Sequence, residues 1–132
     1  MDTVKNEFVR LPETRLNWKE SAECWSILEC FEHLNRYSLY YHSQIAQSIT
    51  KAVKIDTAIP ETKSTWLGLK FISMMHPENV RKHRTYKKMN PRSYTLSVAV
   101  LAKFLQNQEE LLGLIREASS VNLNEVSIPV EF

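Results

Sequence analysis

Glycine occurs only twice in this sequence, at positions 68 and 113, and proline only five times. A β-rich chain of this length needs frequent tight turns, and turns draw on those two residues, so their scarcity argues for helices. Cysteine is scarce too. Cys24 and Cys30 are too few for a disulfide framework, and helix geometry turns them to different sides of one element, which points to a reducing, cytoplasmic setting. No apolar run approaches the ~20 residues of a membrane span, and the richest, TWLGLKFISMM, is interrupted by Lys70. No charged segment followed by an apolar one opens the chain, so a soluble protein with no membrane partner is expected. An excess of one charge is also missing. Seventeen Lys and Arg stand against fifteen Asp and Glu, a formal charge of +2 that does not call for nucleic acid as a partner.

What is present is enough apolar material, 43% of 132 residues, for one core, and residues 1–132 read as a single domain. Val4, Phe8 and Leu11 share a face at helical spacing until Pro12, which predicts a first helix over residues 2–11. The clearest start signal follows at Ser26, with Glu29 three residues on as a capping box, and Trp25 and Cys30 are placed to form a hydrophobic staple. From there Ile27, Phe31, Leu34, Tyr41, Ile45, Ile49 and Ala52 make an amphipathic stripe to about residue 52. Residues 54–93 break the pattern with Pro60, Pro77 and Pro91 and read as a long crossover, with a short apolar helix capped by Ser64. Val98, Leu101, Leu105, Leu112 and Ile115 define a third long helix, capped by Ser97 and fading near residue 120. Three such helices match a four-helix bundle that lacks its last member.

The order LNWK (Leu16 to Lys19), CWSILECFEHLNRY (Cys24 to Tyr37), a Pro-punctuated crossover and FLQNQEELLGLI (Phe104 to Ile115) resembles the DinB superfamily, which includes the YfiT-like metal-dependent hydrolases. The most specific part is W-S-x-x-E/Q-x-x-x-H-L. The resemblance implies an all-α, four-helix bundle with an up-down-down-up path and a long crossover between the second and third helices. It also implies a divalent metal, zinc or nickel, on three histidines. One of these matches His33, and two form an H-x-x-x-H pair on the fourth helix. The implied activities are hydrolysis of a small-molecule substrate or transfer of a thiol. Here the sequence departs from the pattern, because His42, His76 and His83 form no H-x-x-x-H. The fourth helix is therefore expected after Phe132, in a longer protein, the alternative being a member that has lost the helix and with it the metal site, and the metal is expected to be weakly held or absent in this chain.

His33 lies about 120° from the centre of the stripe, on the flank shared with Cys30, Tyr37 and Gln44. That border suits a ligand reaching into a cleft, and it equally suits a half-exposed histidine bonded to Tyr37 or Glu29 one turn away. Cys30 and Glu29 also sit at ligand spacing from His33, but Glu29 is accounted for by the capping box and Cys30 as a small apolar residue. No G-x-S-x-G, Gly-rich phosphate loop or di-iron E-x-x-H pair is present, so the catalytic residues are unknown. The stretch RKHRTYKKMNPR, residues 81–92, holds six cations and no acid. It reads as a solvated crossover segment pairing with Glu109, Glu110 and Glu117, or as an anion or RNA contact with Tyr86 as a platform. Tyr37, Tyr40 and Tyr41 read as bundle packing rather than a substrate cage. The alternative to an enzyme is a non-catalytic bundle used for association, with a homodimer expected.

Overall fold

The computed structural model describes residues 1–55, 61–92 and 95–129. The elements are α1 (Asp2–Asn6), α2 (Glu13–Leu16), α3 (Ile27–Lys51), α4 (Trp66–Met74) and α5 (Ala99–Ala118), with short 3-10 turns between them. Among the described residues there is no strand, and the only bridge joins Lys54 to Val121. The all-α expectation therefore holds. No helix among these residues is long and apolar enough to cross a membrane.

The capping box forms as its spacing predicts. Ser26 Oγ accepts the Glu29 N–H at 3.1 Å, and Glu29 Oε2 accepts the Ser26 N–H at 2.9 Å, so two N–H groups at the start of α3 are satisfied. The first helix departs from expectation. It ends at Asn6, a 3-10 turn covers Phe8–Arg10, and Leu11 is extended at φ −80° and ψ 141°, as a residue before proline is pushed to be. The turn brings Phe8 edge-on to Phe31, with ring centroids 5.5 Å apart. A further short helix, α2, occupies what reads as linker, and its Glu13 reaches the start of α5, where Oε2 accepts the Val98 N–H. Ser97 only bonds Ala99 two residues on, and no side chain of the N-cap residue Val98 caps α5. The start of α4 is likewise one residue later than Ser64, since Thr65 Oγ1 accepts the Gly68 N–H.

The two long helices run parallel. Contacts between them ascend together along both helices, Phe31 with Phe104, Asn35 with Asn107 and His42 with Glu110, and just past their ends Lys54 meets Val121. Parallel neighbours need a crossover, and the segment between Ala52 and Val98 makes it. The core lies at one end of this pair, where Val4, Leu16, Leu28 and Leu101 are buried and Phe8, Phe31 and Phe104 pack around them. Leu34, near the centre of the expected stripe, is 45% exposed. The seam facing α5 instead passes through Leu28, Asn35 and His42, which recur every seven residues. Two of these are polar, so a hydrophobicity pattern places the seam wrongly. Pro60 and the last residues of the SIPVEF tail, 130–132, lie outside the described residues.

Buried amides survive in that seam because they satisfy each other. Asn35 Nδ2 donates to the Val100 carbonyl at 3.1 Å, while its Oδ1 accepts from Asn107 Nδ2 at 2.9 Å. Asn107→Ala is expected to cost about 2 kcal/mol by orphaning the Asn35 oxygen. Denaturant titration of the double variant Asn35→Ala/Asn107→Ala should show less than the sum of the single losses, and additive losses would mean that the pair does not interact.

Candidate functional site

The LNWK and WSxxExxxH segments assemble one support for His33. Leu16 is fully buried in the core. Asn17 clamps the chain entering α5 by accepting the Leu96 N–H at 3.1 Å and donating to the Leu96 carbonyl at 2.7 Å. Lys19 Nζ reaches Glu29 Oε1 at 2.6 Å, and the Glu29 side chain is wholly buried. The first turn of α3 is thus tied to Lys19, and the end of α2 to the chain entering α5.

One turn further, the His33 ring is held on three sides. Trp25 lies 4.8 Å away on one side and Tyr37 is edge-on at 4.9 Å on another. Nδ1 stands 2.8 Å from the Met89 carbonyl. A carbonyl only accepts, so Nδ1 carries the hydrogen, and in the neutral ring Nε2 is the acceptor. The hydrogen bond goes to Met89, not to Tyr37 or Glu29. Arg36, one turn on, grips the same return segment by donating to the carbonyls of Lys88 and Asn90. Trp25 packs on His33, whereas Cys30, its expected partner in a hydrophobic staple, is exposed. Local desolvation first, and the Glu29 charge second, push the Cys30 thiol above its ordinary pKa, which disfavours the thiolate.

His33 lies on the wall of a cavity of about 680 Å³. On the α3 side Tyr37 and Tyr41 continue the wall, their rings parallel at 6.0 Å. Opposite them α4 contributes Phe71 and Met74, and Met75 follows. Asn79 holds that end of α4 by donating to the Ser73 and Met74 carbonyls. The crossover closes the remaining side with His83, Arg84, Thr85 and Tyr86. A mostly apolar concavity of this size with a few polar groups has the character of a small-molecule site.

Of the groups singled out in the sequence, His33, Tyr37, Tyr41, His83, Tyr86 and, from the basic stretch, Arg84 meet here. His42 and Glu110 do not, being 3.4 Å apart on the α3–α5 seam. The residues missed by sequence reasoning are Phe71, Met74, Met75 and Thr85; Phe71, Met74 and Met75 share helical spacing on and beside α4, but nothing in the sequence says that the crossover sets that face against His33. Thr85 Oγ1 is buried with no hydrogen-bond partner among the described residues.

For the implied metal, His33 has the Nδ1–H to carbonyl bond that commonly orients a histidine ligand, and His83 shares the cavity. Zinc sites normally take three or four protein ligands, however, and no group of three suitable side chains occurs among the described residues. This donor set alone does not fit a resident zinc or nickel ion. Comparison with known proteins gives no match to a family model, a curated protein or a solved structure.

Proposed function

We propose that this protein binds a small molecule in the cavity between α3, α4 and the crossover, with His33 Nε2 as the acceptor that meets it. The observation that carries this reading is a histidine ring fixed by Trp25, Tyr37 and the Met89 carbonyl on the wall of a largely apolar cavity. A fixed acceptor orients a ligand hydroxyl, thiol or water, and the same nitrogen can serve as a general base for it. The DinB-like hydrolase or thiol transferase, with His33 as one ligand of a divalent metal, is the enzymatic form of this reading. It is supported by the sequence resemblance and by the orientation of His33, and it needs ligands beyond those described.

His33→Phe keeps a ring between Trp25 and Tyr37 but removes both nitrogens. Binding of 2-naphthol, which has a donor, is expected to weaken about fivefold in this variant, while naphthalene binds unchanged. Equal binding of 2-naphthol to both proteins would remove His33 from the site. Metal content of the same two proteins tests the enzymatic form, and equal zinc or nickel in both would exclude His33 as a ligand.

A second reading, association into a homodimer, is favoured by the exposure of Trp66, Leu69, Ile72 and Met75 on and beside α4. Sedimentation velocity tests it. A monomer at all concentrations would end it.

A further inference from the structure

The small-molecule reading leaves the chemical class of the ligand open, and the lining narrows it. We infer that the cavity selects a planar organic anion, with its charged group at Arg84 and its flat body against the Tyr37, Tyr41 and Phe71 rings. This inference rests on the cavity being a small-molecule site.

Three observations carry it. Among the described residues Arg84 is the one lining residue with a permanent charge, and it has no ion-pair partner there. No Asp or Glu lies between Glu78 and Glu109 in the sequence, and among the described residues no carboxylate lines the cavity to compete for the guanidinium. Of the acids expected to pair with this stretch, Glu110 faces His42 instead. A guanidinium offers forked donors that match a carboxylate, sulfonate or phosphate.

The other polar lining groups agree. The Thr85 hydroxyl, on the residue next to Arg84 in the lining, is buried without a partner among the described residues, and an orphaned donor is satisfied by an oxygen-rich group. His33 Nε2, an acceptor in the neutral ring, disfavours an anionic oxygen beside it, which directs the charged end of the ligand away from α3 and towards the crossover. Flat aromatic faces and the flexible Met74 and Met75 thioethers suit a planar body of variable outline.

Calorimetric titration of the whole chain with 2-naphthoate and with the neutral 2-naphthalenemethanol tests the assignment. The anion is expected to bind about fivefold more tightly than the alcohol. In Arg84→Gln the difference should disappear while affinity for the alcohol is unchanged. In Lys82→Gln, outside the lining, the difference should persist. Equal binding of the two probes to the wild type, or an equal fall in both variants, overturns the anion assignment and leaves the cavity reading standing. Binding of neither probe overturns both.

Discussion

A Lys19→Met protein is expected to lose about 3 kcal/mol of folding stability, far more than a surface lysine contributes. The carboxylate it pairs with at 2.6 Å is wholly buried, while the lysine side chain is 25% exposed. Removing the ammonium leaves a charge in a place water does not reach, held among the described residues by the Ser26 N–H alone. Breaking such a pair from one side usually costs 3–5 kcal/mol, and the partial exposure of Lys19 argues for the lower end. Glu29→Gln keeps an acceptor for the capping box, so the double variant Lys19→Met/Glu29→Gln should recover part of the loss. Urea unfolding with an unchanged slope measures it. A loss below about 1 kcal/mol would show that the pair behaves as an exposed one.

Leu28→Ala is expected to cost about 3 kcal/mol, in the range for truncating a buried leucine. Leu28 is fully buried beside Val4, Leu16 and Leu101, where α1, α2, α3 and α5 meet. Leu34→Ala is the informative comparison. The hydrophobic pattern places Leu34 near the centre of the stripe, yet it is 45% exposed, and its truncation should cost less than about 1 kcal/mol. Thermal or chemical unfolding of the two variants decides between pattern and packing. Equal losses would mean that Leu34 is as buried as Leu28.

The segment WSILECFEHL now has an account for most of its residues. Ser26 and Glu29 cap, Leu28 packs, Trp25 braces His33, and His33 holds the crossover through Met89 while lining the cavity. LNWK is its counterpart in the support, since Leu16, Asn17 and Lys19 respectively pack in the core, clamp Leu96 and pair with Glu29. Trp18, 67% exposed, takes no part in that support.

Local signals in the sequence determined the helical class, the capped start of α3 at Ser26, the extent of both long helices to within a few residues, and the crossover between them. Each of these depends on neighbours within one or two helical turns, which a linear pattern records. Only the tertiary structure decided the rest. It made the seam run through Asn35 and His42, because a buried amide is admissible once Asn107 answers it. It moved the cap of α5 to Glu13, 85 residues away, because a backbone N–H donates to whichever carboxylate the fold presents. It also gave His33 its surroundings, since Arg84, Thr85 and Phe71 reach it through a crossover whose course follows from contacts and leaves no period in the chain.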